Sequence, residues 1–310
     1  MRAVGFTEFG SAPRLLELAV PEPAEGEVRV RVRAASVNGF DIVVASGRVK
    51  GMMEHRFPVV LGKDFAGTVE ALGAGVTGHA PGDRVFGVVS KPYLGDGSFA
   101  DYVTVPVAIG LARLPESVEL VEGGALGLAG AAAIASVDAA GLAPGQTVLI
   151  AGATGGVGIQ AVQLAAMAGA HVIATVHSDA EKEQVTTIGA AEVVYYTKDI
   201  TEQVRAAHPG GADVVLHLAG APAPLLSVLR TGGRFVSTIV SSPDQLPTER
   251  ATVVPVYANP TRATLERIAE NQVAGRTRVI IQRTYNLAET PAALADFRRG
   301  TLGKLVIIID

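Results

Sequence analysis

The chain contains no cysteine, which excludes disulfide staples and every thiolate metal site. Its six histidines, His55, His79, His171, His177, His208 and His217, include no pair at the i, i+4 spacing of a helical metal site, so no metal is expected. Lysine and arginine are not clustered and the formal net charge is -4. Phosphate contacts need concentrated positive charge, so no nucleic-acid partner is expected. No uncharged apolar run is long enough to cross a bilayer, the nearest, 123–137, being mostly glycine and alanine, so no membrane partner is expected either. The opening Met1-Arg2-Ala3-Val4-Gly5-Phe6 runs into Thr7-Glu8 rather than into a sustained apolar core. No signal peptide is read there, and the cytoplasm is the expected location.

With 310 residues the chain has length for two domains. The first third reads as antiparallel β. In Glu27-Val28-Arg29-Val30-Arg31-Val32-Arg33 three valines alternate with arginines, which places the valines on a core face and the arginines on a solvated one. Short apolar segments at 59–61, 67–72, 83–89 and 101–106, punctuated by glycine and proline, suggest a small barrel or curled sheet. A change of character at 113–117 marks the end of this first domain, residues 1–117. An alanine-rich helical stretch at 122–140 follows, closed by Gly141 and Pro144-Gly145.

From there strands at 148–150, 171–176, 192–196, 213–217, 234–238 and 252–256 alternate with helices at 180–188, 200–207 and 224–229. That alternation predicts an α/β, doubly wound parallel six-stranded Rossmann domain over 118–260, with ligand at the strands' carboxyl ends. The tail, 261–310, holds two helical segments and the apolar strand Leu305-Val306-Ile307-Ile308-Ile309. So apolar a strand needs cover on both faces and is expected to return to the first domain.

The centre of the second domain is 148–169: a buried strand, the turn Ala153-Thr154-Gly155-Gly156-Val157-Gly158, and a helix. This is a G-x-G-x-x-G turn with alanine in the first place. At Gly155 a pyrophosphate can approach the backbone, and Gly158 lets the helix lie close on the strand. The positive end of the helix then favours the anion by about 0.3–1 kcal/mol per interaction. An ordinary strand, turn and helix fits the same letters. The flanking strand and helix favour dinucleotide binding.

Further segments fall in a specific order: Ser36-Val37-Asn38-Gly39-Phe40-Asp41, Pro58-Val59-Val60-Leu61-Gly62-Lys63-Asp64-Phe65-Ala66-Gly67, Gly82-Asp83-Arg84-Val85, Gly97-Ser98-Phe99-Ala100-Asp101-Tyr102-Val103, Gly232-Gly233-Arg234-Phe235-Val236 and Gly303-Lys304-Leu305-Val306. With the glycine turn they resemble, end to end, the zinc-independent medium-chain dehydrogenases/reductases of the quinone oxidoreductase (zeta-crystallin-like) branch. The resemblance implies a GroES-like first domain completed by 261–310. Zinc-dependent alcohol dehydrogenases of the superfamily carry G-H-E where this chain has Gly62-Lys63-Asp64. Lysine is no substitute for that histidine as a ligand, so hydride chemistry is left to a bound cofactor.

NAD-selective relatives place a carboxylate at the end of the second nucleotide strand, where Val176 aligns here. Ser178, with Lys182 and Tyr196 that the resemblance puts nearby, favours a 2'-phosphate and therefore NADPH; Asp179 and Glu181 oppose it. Ala219, Gly220 and Ile239, after the later strands, complete the expected cofactor contacts. Lys304 is read either as reaching the cofactor phosphates or, with more weight, as a surface lysine after a glycine turn.

For the chemical step the resemblance places Asn38 and Asp41 nearest the nicotinamide, although Asp41 equally suits a helix cap. A tyrosine that relatives often carry shortly after that aspartate is replaced by Val43 and Val44, and a threonine by Ala132. Tyr93 remains the one candidate proton donor, against the plainer role of a surface-loop tyrosine. Reduction of a quinone gives a hydroquinone anion stabilised by its own ring, so no protein acid is obligatory. Reduction of an enone gains from one. The expected function is NADPH-dependent, metal-free hydride transfer to a small apolar conjugated carbonyl such as a quinone. Enoyl or alkenal double-bond reduction, and a dinucleotide-binding protein without turnover, stay open. The apolar edge strand at 252–256 leads to the expectation of a homodimer.

Overall fold

The strand Glu27–Ser36 carries its alternation into three dimensions: Val28, Val30 and Val32 are buried, whereas Arg31 is exposed and Arg29 pairs with Glu22 and Glu70. In the computed structural model, which describes residues 1–310, this strand is the spine of a first unit made of Met1–Leu128, Pro260–Ala274 and Ile281–Asp310. One edge of Glu27–Ser36 pairs with Asp64–Leu72, followed by Arg84–Val88 and Leu111–Arg113. Its other edge takes Tyr102–Pro106 along one half and Lys304–Ile308 along the other. Register places Ser36 opposite Asp64 on one side and Val306 on the other, which draws residues from three distant parts of the chain together. Phe65, Phe99, Leu111 and Ile307 fill the core beneath.

The second unit, Ala129–Asn259 with Gly275–Ile280, is the expected parallel sheet. Its order is Glu192–Tyr195, His171–Val176, Thr147–Ala151, Ala212–His217, Leu229–Ser237 and Ala251–Pro255, all parallel. Thr147–Ala151 and Ala212–His217 hold the middle. Their near-continuous valine, leucine and isoleucine content reflects burial on both faces. No helix is long and apolar enough to cross a membrane.

Four features differ from the sequence reading. The boundary between units falls after Leu128 rather than after Ser117, and residues 275–280 belong to the second unit. The expected helix at 122–140 is broken into Leu120–Gly123 and Gly127–Ala140. Glycines at the break allow close approach: a Cβ on Gly124 would lie 2.7 Å from that of Ala34, and one on Gly127 3.0 Å from the Asp64 carboxylate. The helix expected at 224–229 is Pro222–Leu226, and Leu229 already begins the next strand. Finally, the tail contains an unexpected strand, Ile281–Asn286, parallel to Lys304–Ile308. It is an edge strand in which only Tyr285 is buried, so it has no apolar alternation to reveal it.

Candidate active site

In the second unit the turn after Thr147–Ala151 is shaped by close backbone packing. Gly152 has a φ of +86° and faces Ala219, whose Cβ would lie 2.8 Å from a Cβ placed there. Gly155 caps the helix Gly156–Met167. A Cβ at Gly155 would meet only the Gly152 carbonyl oxygen, at 3.7 Å, so its outer side is open to an approaching group. At Gly158 a Cβ would stand 2.1 Å from that same oxygen and 2.6 Å from Ala153 Cα, so the helix lies directly on the turn. The N–H groups of a helix's first turn have no intrahelical partner and suit an anion. Thr154 and Val157 complete this segment, while Thr175 accepts the Gly152 N–H at 3.0 Å and fixes the turn to the next strand. Thr175 does not stand out in the sequence, and the sequence reading began the turn at Ala153, one residue after Gly152.

Around the end of His171–Val176, Ser178 caps the helix Asp179–Thr187 by accepting the Glu181 N–H at 3.3 Å. Glu181 is 7% exposed and turns back: it accepts the His177 N–H at 2.7 Å and pairs with His177 Nδ1 at 2.7 Å. Lys182 and Tyr196 are exposed, and the Tyr196 ring lies 5.7 Å from that of His177. Ser178, Lys182 and Tyr196 thus share one neighbourhood, together with a carboxylate engaged by histidine.

His217, the last residue of Ala212–His217, is fully buried, and that burial pushes its imidazole below the usual range. Ser237 Oγ accepts the N–H groups of Ile239 and Val240 at 3.0 and 2.8 Å, so its proton goes to His217 Nδ1 at 2.9 Å. His217 Nε2–H then donates to the Gly220 carbonyl at 3.0 Å. The neutral imidazole therefore ties the Ala219-Gly220 turn to Ile239, both at carboxyl ends of strands. Sequence reasoning passed over His217 and Ser237; a histidine ending an apolar strand was the available signal.

The first unit holds a buried polar cluster. Asp64 is fully buried and its Oδ2 accepts from Ser36 Oγ at 2.7 Å, Asn38 Nδ2 at 2.9 Å and Lys304 Nζ at 3.1 Å; its Oδ1 accepts the Leu128 N–H at 2.6 Å. Lys304 also donates to Asn38 Oδ1 at 2.8 Å and the Val37 carbonyl at 3.2 Å. At 4% exposure it is neither the surface lysine expected nor directed outward to phosphates, because pairing of Lys304–Ile308 with Glu27–Ser36 carries it into the interior. Asn38 is equally committed: its amide nitrogen serves Ser36 and Asp64, its oxygen Lys304.

Asp41 lies in the first turn of the helix Gly39–Ala45 and accepts the Asn38 N–H at 2.8 Å and the Gly62 N–H at 3.1 Å. Burial pushes its carboxyl up to about 7 despite those two donors. The capping role read as one alternative from sequence is the one its contacts describe. Tyr93 stands apart from this cluster. Its hydroxyl donates to Asp96 at 2.9 Å, the Arg56 guanidinium covers its ring at 3.6 Å, and it lines a cavity of about 300 Å³ with Met1, Leu18 and Phe57. Burial, reinforced by Asp96, raises its pKa, which makes it a poorer acid.

Lys63 is a titratable group that sequence reasoning treated only as a missing ligand. Its Nζ donates to the Val89 carbonyl at 2.7 Å and lies 5.4 Å from the Phe40 ring centroid, and burial lowers its pKa. The residues at the position where zinc-dependent relatives bind metal do not fit zinc. Lys63 is a donor turned to a carbonyl, and Asp64 is saturated by Ser36, Asn38, Leu128 and Lys304.

Residues 24–116 match the family model described as an alcohol dehydrogenase GroES-like domain, and residues 156–259 that of a zinc-binding dehydrogenase. The chain is 29% identical to a chloroplast envelope quinone oxidoreductase homolog of Arabidopsis thaliana, over 99% of this chain and 98% of the relative. It is 32% identical to a chloroplastic quinone-oxidoreductase of Triphysaria versicolor, over 71% of this chain and 68% of the relative. The structure of the quinone oxidoreductase from Coxiella burnetii superposes with a TM-score of 0.91 at 25% identity, covering 100% of this chain and 99% of that one. A mycocerosic acid synthase-like polyketide synthase of Mycolicibacterium smegmatis is 37% identical over 220 residues, and this chain spans 10% of its length.

Proposed function

Because the chain belongs to the medium-chain dehydrogenase/reductase family, in its quinone oxidoreductase branch, we propose that it is an NADPH-dependent, metal-free reductase of quinones or similar apolar conjugated carbonyls. The observation that carries the metal-free reading is Lys63, bonded to the Val89 carbonyl where a zinc-dependent relative needs a ligand. The nicotinamide dinucleotide, when bound, supplies the hydride. The chain's own residues bind and orient it: the open side of Gly155 and the first turn of Gly156–Met167 receive the pyrophosphate. Ser178, Lys182 and Tyr196 receive the 2'-phosphate, next to a Glu181 whose charge is engaged by His177.

The buried cluster of Asp64, Lys304, Asn38 and Asp41 acts as support, since each polar group in it is satisfied internally. A quinone suits this arrangement because its reduced anion is stabilised by its own ring and is protonated by water. The strand Ala251–Pro255, at the sheet's edge and half-buried, is the surface on which we expect two copies to pair; sedimentation as a monomer at micromolar concentration refutes that.

The test is a fluorescence titration with NADPH and with NADH, favoured by the absence of tryptophan, followed by turnover of the chelator-treated protein with a quinone. Tight NADPH binding, weak NADH binding and hydroquinone formation unchanged by chelation are expected. A saturated carbonyl product from an enone, with no quinone turnover, moves the assignment to double-bond reduction. Binding without turnover of either acceptor class leaves a binding protein.

A further inference from the structure

Three metal-ligating side chains converge at the end of the nucleotide sheet opposite the glycine turn. His171 opens the strand His171–Val176, Glu192 opens Glu192–Tyr195, and His208 ends the helix Ile200–Ala207. The two strands are parallel neighbours with Ile173 opposite Glu192. His171, two residues before Ile173, shares its face, so sheet pairing itself brings imidazole to carboxylate. Glu192 Oε1 lies 2.7 Å from His171 Nε2, and His208 Nε2 lies 3.2 and 3.1 Å from the two Glu192 oxygens. The two imidazole rings are 5.3 Å apart. One ligand atom from each residue lies within 4.8 Å of the others.

We propose that His171, Glu192 and His208 form a binding site for a divalent transition metal, zinc being the best fit, which clasps two strands and a helix end together. Zinc bonds nitrogen at about 2.0–2.1 Å and carboxylate oxygen at about 2.0–2.2 Å, so tetrahedral ligand atoms sit roughly 3.3–3.5 Å apart. The His208 to Glu192 separations are already close to this; His171 Nε2 has to draw back from Glu192 by less than an ångström, and the two imidazole nitrogens, within 4.8 Å of each other, have to close to the same spacing. Two imidazoles with one carboxylate favour zinc, cobalt, nickel or copper over magnesium and calcium. All three side chains are between 22% and 37% exposed, which leaves a water the fourth position.

The site is distinct from the cofactor residues. His171 and His177 stand at opposite ends of one strand, roughly 20 Å apart at the strand's rise per residue. An ion here is therefore structural, and reductase activity is not its readout.

The experiment uses the full chain, stripped with a chelator and dialysed, titrated with Zn²⁺ by calorimetry and with Co²⁺ by visible absorption. One equivalent per chain is expected, with a Zn²⁺-dependent rise in melting temperature that Mg²⁺ and Ca²⁺ do not reproduce. Affinity should fall at least about tenfold in His208→Ala and in Glu192→Gln. Binding of reduced cofactor in the same preparations reports that the variants are folded, and His171→Gln replaces either one that is not. Absence of saturable binding below roughly 100 µM, or equal affinity in parent and variants, overturns the proposal.

Discussion

The glycine turn of the second unit and the polar cluster of the first are built in opposite ways. The turn is one continuous segment, and its tight contacts are backbone against backbone, with a Cβ excluded at Gly158 by the Gly152 carbonyl. The cluster gathers Ser36, Asn38, Asp64, Leu128 and Lys304, with Lys304 contacting a residue 267 positions away, and is held by charge. A site made of local backbone fails through shape, and a site made of distant charges fails through imbalance. The largest expected effect tests the second half of that contrast. Lys304→Met leaves a fully buried Asp64 carboxylate without its cation, at a cost of about 3–5 kcal/mol. Thermal unfolding should show a large drop, partly restored in Lys304→Met with Asp64→Asn. An unchanged melting temperature in the single variant would mean that the cluster does not hold the first unit.

Shape sensitivity is tested next, by placing one methyl group at two positions of the same turn. Gly158→Ala puts a Cβ 2.1 Å from the Gly152 oxygen, so the helix must shift, at about 1–3 kcal/mol. Gly155→Ala meets nothing nearer than 3.7 Å and keeps an ordinary φ of -73°. Its stability should stay within about 0.5 kcal/mol of the parent, while reduced-cofactor affinity falls at least about tenfold because the methyl occupies the proposed pyrophosphate approach. Equal losses of stability and affinity in both variants would erase the distinction between packing glycine and binding glycine.

Asp41 sharpens the comparison through pH. Its carboxyl is raised by burial to about 7, so between the ordinary carboxylate range and about 7 the folded state binds more protons than the unfolded one. The stability it contributes is full at acid pH and is lost as pH rises toward and through about 7. Asp41→Asn sets an amide donor against the Asn38 or Gly62 N–H, a loss of about 1–3 kcal/mol. Urea unfolding should show a larger penalty at pH 5 than at pH 8. A penalty independent of pH would place the Asp41 pKa in the ordinary range.

The same contrast explains what could be read from the letters. The strand Thr147–Ala151, the turn and its helix follow local period and glycine spacing, and so does the six-strand alternation. Lys304 was misplaced because its surroundings are set by pairing with Glu27–Ser36, which no local pattern records. The helix break near Gly124 needs knowledge of Ala34 against it. Ile281–Asn286 is nearly all polar at an exposed edge. His171, Glu192 and His208 meet only because two strands and a helix end become neighbours. Asn38 and Asp41 were singled out as a pair from the resemblance, and their hydrogen bonds point inward to the framework.

The smallest expected effect concerns the proposed 2'-phosphate end of the cofactor site, where local sequence and tertiary pairing meet. Asp179 and Glu181 lie beside Ser178 and Lys182, and charge alone reads as repulsion of a 2'-phosphate. Tertiary contacts change the balance: Glu181 is turned into the His177 N–H and Nδ1, and Asp179 accepts the Tyr195 hydroxyl at 3.1 Å, leaving Lys182 at the surface. An exposed lysine to phosphate contact is screened by water and salt and contributes about 0.5–1 kcal/mol. Lys182→Gln should therefore weaken NADPH binding roughly threefold to fivefold and leave NADH binding unchanged, with the difference shrinking at high salt. If both cofactors weaken together, Lys182 does not read the 2'-phosphate. Glu181 then becomes the group at this strand end that a ribose hydroxyl would meet.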